Sequence, residues 1–321
     1  MAPKTILITA ASVLSLSICI PGLPIRHPSP RRDVFLCCSV NLLLFQALGK
    51  TPDSFIVKAG VRDPTKSADL AALAPNASPV AADPLKAAEI AAALQGVDYV
   101  FVIAPGHADR QKISIAAIDA AKAAGAKFIL VLSVSTAELT DTIFGGQFAP
   151  VEAHTKASGV PFTVIRLPLF MENNYGFAES IKDASAIYSS YEPDKPFTAV
   201  SVDDVGEAAA KIFADPEAHK GKTYNLTGPS ATATDIAQAF SNALGKSVSY
   251  NFVPYEASKD WLTHSGFPEW QADGVIELFK SINAGAVQTN DPANGKTLEK
   301  ILGRPPSSVK AWVDAHAAAF K

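Results

Sequence analysis

The apolar residues of this chain fall into short unbroken runs. The first is Thr5-Ile6-Leu7-Ile8, inside Lys4–Ser12. Others lie in Ser54–Gly60, Gly96–Pro105, Ala126–Ser135 and Pro161–Pro168. A run of this length bounded by glycine or proline predicts a strand covered on both faces. Val80–Asp83 predicts a shorter strand with an acidic end. Between the runs, Pro84–Leu94, His107–Ala124 and Val151–Ser158 predict helices, the last two stopped by Gly125 and Gly159. This alternation predicts an α/β fold built on a doubly wound parallel sheet.

The rhythm weakens after Met171. Phe197–Ser201 predicts a strand leading to a helix capped by Asp203. Tyr224–Gly228 reads as strand and turn. Thr232–Leu244 is amphipathic with Gly245 as its stop. Ser247–Val253 reads as a strand, and Tyr255–Ala284 and Pro306–Phe320 as helices. The division predicted is a core over 1–170 and a small C-terminal α/β lobe over 171–321, with 197–228 returning to the core. Trp261, Phe267, Trp270 and Phe279 gather in the lobe, either as its core or as the wall of a pocket for a planar molecule.

Composition narrows the chemistry. The chain has 321 residues, 48% hydrophobic and 18% charged, a normal globular balance. Its net charge of −3 offers no basic field for nucleic acid or anionic lipid. All three cysteines, Cys19, Cys37 and Cys38, lie in one segment, so thiolate chemistry is excluded elsewhere. The histidines show no metal-ligand spacing, and no nucleophile elbow is present. Neither Ile6–Ile20 nor Phe35–Phe45 reaches the roughly 20 apolar residues of a membrane span. Ile6–Ile20 also has the outline of a signal peptide, but serines interrupt it and a small-x-small cleavage site is lacking. The expectation is a cytoplasmic protein.

Ligands of a parallel sheet bind beyond the carboxyl ends of its strands. That places Thr9, Ala11 and Ser12, then Asp83, Ala104, Pro105, Ser133, Pro168 and Phe170, around a dinucleotide. Arg62 and Lys66 follow the second strand. A guanidinium there pairs with a ribose 2′-phosphate, which favours NADP(H) over NAD; the alternative is a solvated loop. Ser133, His154 and Tyr175 are candidates to protonate or polarise a substrate. His154 also reads as an ordinary surface or packing histidine. Ser135, Asn173 and Asn174 are candidates for substrate contact, the asparagines alternatively capping a turn.

The ordered set Lys4–Ser12, Val61–Lys66, Gly96–Val100, Glu152 with Ser158–Asn173, Val202–Val205 and Tyr224–Gly228 resembles the NmrA-like atypical short-chain dehydrogenase/reductase family. The resemblance implies a Rossmann core and a dinucleotide held between core and lobe. It also implies NADPH-dependent hydride transfer to a quinone or similar carbonyl acceptor, by a monomer or homodimer. Some members of the group act instead as NADP-sensing regulators through a protein partner. Two features depart from the wider superfamily. The glycine-rich turn Gly-x-x-Gly-x-x-Gly is missing after Ser12, Gly22 being the only glycine before Gly49. No tyrosine lies between Tyr99 and Tyr175, so the Tyr-x-x-x-Lys pair is absent.

Val13–Gln46 fits neither pattern. It holds Pro21, Pro24, Pro28 and Pro30, then Arg31-Arg32 and the apolar Phe35–Phe45. The expectation is an insertion that disrupts the N-terminal phosphate-binding turn. Its Val start and Phe-Gln end also suit a translated intron, which sequencing the transcript across the junction tests. A proline-rich loop supplies no obvious row of backbone N–H groups for a pyrophosphate, so weakened NADPH binding is expected.

Overall fold

A computed structural model describes residues 3–9, 55–66, 76–287 and 292–321, without the side chains of 66 and 292–295. Ala11, Ser12, the three cysteines and the whole Val13–Gln46 segment lie outside the described residues.

The apolar runs become a parallel seven-stranded sheet. Its strands are β1 (Lys4–Ile8), β2 (Phe55–Val61), β3 (Ala77–Ala81), β4 (Tyr99–Val102), β5 (Phe128–Val134), β6 (Phe162–Leu167) and β10 (Lys222–Asn225), in the order β10-β6-β5-β4-β1-β2-β3. Every pairing is parallel, with registers such as Ile6 to Val57 and Ile6 to Tyr99. The runs are continuous because successive side chains leave on opposite faces and both faces are covered. Ile6, Ile8, Phe101, Phe128, Leu130 and Ile165 face one side, where α5 (Val202–Ala214) lays down Val205, Ala209, Ile212 and Phe213. Leu7, Val100, Val102, Ile129, Val131 and Val164 face the other. There they meet Ile90 of α1 (Ala87–Ala93), Ile118 of α2 (Arg110–Ala123) and Val151 of α3 (Ile143–Ala157).

Several boundaries differ from the sequence expectation, such as the third strand, at Ala77–Ala81 rather than Val80–Asp83, and three have an identifiable cause. Helix α3 begins eight residues before Val151, at Ile143, and runs through Pro150. Proline normally marks a helix boundary, but here Thr142 caps the start by accepting from the Gly145 N–H, and packing on α2 and β5 carries the helix past the break. The cap of α5 is Ser201, whose hydroxyl accepts from the Asp203 N–H, so Asp203 itself is inside the helix. Tyr255–Ala284 is two helices, parted by Gly266-Phe267-Pro268.

The lobe has its own core. It contains β7 (Leu169–Phe170), α4 (Ala178–Ala184), β8 (Ala186–Ser189), β9 (Phe197–Val200), α6 (Pro216–His219), β11 (Ser230–Ala231), α7 (Ala233–Leu244) and β12 (Ser249–Phe252), then α8 (Tyr255–His264), α9 (Glu269–Asn283), α10 (Pro292–Leu302) and α11 (Val309–His316). The Thr232 side chain and Asp235 form a reciprocal capping box at the start of α7, and Gly245, at φ 65°, ends it in the left-handed conformation that only glycine adopts without strain. Phe240, Trp312, Phe320, Ile187 and Met171 pack together inside. Two pieces of this half return to the sheet: β10 adds an edge strand beside β6, and Leu298 and Leu302 of α10 join the α5 face.

Candidate functional site

The direction of the sheet's winding reverses between β1 and β4, and ligands of such sheets bind in the crevice beyond the strand ends at that reversal. Thr9 closes its floor. Its N–H donates to the Phe101 carbonyl at 3.0 Å, and its hydroxyl accepts the Ile103 N–H at 3.1 Å. Thr9 is therefore buried, with its N–H and its hydroxyl both occupied in joining the two strands. Gly60 stands next to it on β2. A Cβ at that position would lie 2.8 Å from the Ile8 carbonyl oxygen and 3.0 Å from Ala82 Cβ, so only glycine allows β2 to sit this close at the rim.

Arg62 follows directly. It is exposed and makes no hydrogen bond or ion pair with a described residue. Asp63 turns its carboxylate to the Thr65 N–H and hydroxyl, at 3.1 and 2.5 Å, which shapes the loop. Lys66 ends the same turn, Pro64–Lys66. Asp83 ends the strand beyond. Its Oδ1 accepts from the Leu85 N–H and its own N–H donates to Glu89, so it caps a turn. Ala104 and Pro105 are half-buried at the end of β4, on the crevice wall.

The ends of β5 and β6 carry a buried charge network that the sequence reading did not assign to the site. Ser133 donates to Glu152 Oε1 at 2.6 Å. Arg166 forks onto the same carboxylate, Nε to Oε1 and Nη2 to Oε2, both 2.8 Å, and reaches Glu138 with Nη1. Ser133 and Arg166 are neighbours in register across β5 and β6. Burial pushes the Glu152 carboxyl up, but the hydrogen bonds from Arg166 and Ser133 outweigh it and hold the group below its usual range. The Glu152 bond in turn holds the Arg166 guanidinium above its usual value. Ser135 donates to the Leu167 carbonyl at 2.9 Å. The signal for this network was a charged Arg166 inside an apolar strand, since a buried charge requires a partner.

Three candidate residues are engaged by other parts of the fold. Ser133 is fully buried and bonded to Glu152. Tyr175 stacks on Phe320 at 5.6 Å and meets Trp312 edge-on at 5.2 Å, inside the lobe core. His154 sits eleven residues along α3, about 16 Å from the end that faces the crevice, and contacts Asp119 of α2 at 2.7 Å. Asn174 is buried and donates to the Met171 carbonyl, which makes it a turn cap, while Asn173 stays half-buried on the 3-10 turn Met171–Phe177. Pro168 and Phe170 are half-buried as the chain leaves β6, Phe170 packing against the sheet's core.

Glu172, on that same turn, was not singled out from the sequence. Its oxygens accept the Val202 N–H at the start of α5 and the Trp312 indole N–H at 3.0 Å. It joins core to lobe. Burial raises its carboxyl to about 7 against the pull of those hydrogen bonds.

A helical hairpin bridges the crevice end of the sheet. Helix α9 grips the start of α3: Glu277 accepts the Ile143 N–H at 2.7 Å, and Gly274 lies so close that a Cβ would sit 2.8 Å from the Phe144 ring. Arg110, at the start of α2, is buried with its guanidinium 5.5, 5.3 and 5.2 Å from the rings of Phe144, Phe148 and Trp270. On the other side α8 reaches the Met171–Phe177 turn, with Trp261 3.5 Å from the Cβ position of Gly176. Leu262, Ala272 and Ile276 pack between the two helices, with Phe267 and Phe279 beside them. Phe267 and Phe279 are therefore packing residues, Trp270 holds Arg110, and Trp261 is open to solvent.

Among the described residues no group of three or more His, Cys, Asp or Glu could hold a metal ion, and no helix is long and apolar enough to cross a membrane. The arrangement is thus a crevice at a winding reversal, an arginine at its outer rim, and no unengaged acid or base at the ends of β5 and β6.

Known proteins share this architecture. An NAD(P)H azoreductase of Xenophilus azovorans is 31% identical over 267 residues, 82% of this chain and 90% of its own. The structure of the NADPH-dependent quinone oxidoreductase QOR2 of Escherichia coli in complex with NADPH superposes with a TM-score of 0.75 at 25% identity, over 97% of this chain and 99% of the other. The structure of NmrA, a negative transcriptional regulator, in complex with NADP gives 0.73 at 17% identity, over 98% and 95%, a likeness of fold. The NmrA-like family model matches residues 43–313, and the chain belongs to the NmrA-like family.

Proposed function

We propose that this chain is an NADPH-dependent oxidoreductase that delivers hydride to a quinone or similar carbonyl acceptor. The observation that carries the reading is Arg62, exposed at the rim of β2, one strand from the winding reversal, with no described counter-ion. Guanidinium there suits the fork of a ribose 2′-phosphate. The residues present fit the adenosine end of NADP(H): Arg62 and Lys66 would hold the 2′-phosphate, and the backbone at Thr9, Ala104 and Pro105 would line the crevice. The names of the azoreductase and of the quinone oxidoreductase point to the same cofactor class.

Bound NADPH would supply the hydride itself. The chain's own part is positional. Ser133, Glu152 and Arg166 hold the ends of β5 and β6 rigid, and the α8–α9 hairpin covers them. The acceptor's proton then comes from water, because Ser133 and Ser135 are engaged elsewhere.

That engagement also favours a second reading, a non-catalytic NADP-binding regulator that reports redox state through a protein partner. Turnover separates the two. NADPH oxidation with a panel of quinones supports the first; cofactor binding without turnover supports the second. For the cofactor, calorimetry on the wild type and Arg62→Ala is decisive. The expected outcome is a loss of about 1.5–3 kcal/mol for NADPH, the worth of a charge-assisted bond, with NADH unaffected. Equal losses for both cofactors, or no binding of either, refute the assignment of Arg62. Weak NADPH binding by the wild type would reflect the missing glycine turn.

A further inference from the structure

Trp261 is the large aromatic side chain that the hairpin leaves uncovered. It is 51% exposed, on a helix whose inward positions, Ser258 and Leu262, are buried. The tip of its indole lies beside Gly176, itself exposed, 3.5 Å from where a Cβ on that glycine would stand, an ordinary van der Waals distance. Both ends of the hairpin are fixed. Helix α9 is held to the start of α3, beyond β5, by Glu277, Gly274 and the Arg110 ring cage. Helix α8 is held to the lobe, where Ser258 meets Ser190 at 2.7 Å. The hairpin therefore spans from the start of α3, which follows β5, to the Met171–Phe177 turn, which follows β6, and Trp261 stands at its contact with that turn.

We propose that Trp261 is the stacking face on which a planar aromatic acceptor lies, making it a specificity-determining residue of the site. This rests on the oxidoreductase reading for its role in turnover, but not for the binding it describes. An exposed indole on a fixed hairpin gives a flat ligand dispersion and quadrupole contact at little entropic cost, since the side chain is already positioned. A non-aromatic carbonyl compound gains little from the same surface. The site thereby selects for ring size in the acceptor while the strand ends beneath remain chemically unselective.

The test is calorimetric titration of the full chain with anthraquinone-2-sulfonate, a planar quinone, in parallel with NADPH. Trp261→Ala should weaken the quinone roughly tenfold and Trp261→Phe by about threefold or less, with NADPH affinity unchanged. Thermal melts of both variants should match the wild type, because the indole is largely outside the core. Wild-type affinity in Trp261→Ala, an equal loss in the Phe and Ala variants, or no quinone binding by the wild type overturns the proposal. Quinone binding that depends on Trp261, with no NADPH binding or turnover, would sink the oxidoreductase reading and leave the stacking face standing.

Discussion

Replacing Glu152 with glutamine probes the buried network at the ends of β5 and β6. The side chain keeps its size and loses its charge. Glu152 now accepts three hydrogen bonds, from Ser133 and from two nitrogens of Arg166. The amide can accept at one end only, and because Arg166 reaches both carboxylate oxygens the NH2 faces a guanidinium N–H in either orientation. Arg166 would keep Glu138, but that carboxylate is 73% exposed and such a pair contributes about 0–1 kcal/mol. Removing one partner of a buried pair typically costs about 3–5 kcal/mol. The remaining bond and Glu138 put the expected loss near the lower end, about 3 kcal/mol, or about 6 °C in melting temperature for a chain of this size. The sign with pH follows from the depressed carboxyl. Its stabilisation is complete above the unfolded value of about 4.5 and is lost as pH falls through the lower folded value, so the gap between wild type and variant should narrow in acid. Urea unfolding followed by circular dichroism at several pH values reads both quantities. The paired change Glu152→Leu with Arg166→Met should restore stability to within about 2 kcal/mol of the wild type. A Glu152→Gln variant as stable as wild type at neutral pH would refute the claim that this pair is a buried, mutually dependent unit.

Gly145→Ala should fail to fold or lose more than about 3 kcal/mol, since the added Cβ would lie 2.0 Å from the Leu139 carbonyl oxygen; soluble yield and melting temperature report it. Glu172 predicts the opposite pH dependence to Glu152. Its folded value of about 7 lies above the unfolded 4.5, so its protonated form favours the fold and stability should decline by up to about 3 kcal/mol as pH rises from 4.5 to 7, then level off. Glu172→Gln should remove that slope in a pH series of melts, and an unchanged slope would show that another group titrates.

Much of the fold was legible because it depends on local pattern. The runs at Ile6, Val57, Val100, Ile129 and Val164 announced a sheet covered on both faces, and their order with intervening helices announced its winding. The candidate role of Arg62 was drawn from strand-end position and side-chain chemistry alone. The surroundings of the acid–base candidates were not legible for one reason: a hydroxyl or imidazole carries no local mark of its partner. Ser133 finds Glu152 nineteen residues on, Tyr175 finds Trp312 and Phe320 near the chain's end, and His154 finds Asp119 on the neighbouring helix.

The sequence by itself therefore determined the class of sheet, its two buried faces, the crevice at its winding reversal and the missing glycines after Ser12. Only the tertiary structure decided which polar groups remain open within that crevice. Hydrophobic periodicity is set by neighbours along the chain, whereas satisfaction of a buried polar group is set by whatever distant residue the fold brings within about 3 Å. Trp261 and Glu172 owe their interest to contacts with residues 85 and 140 positions away, Gly176 and Trp312 respectively.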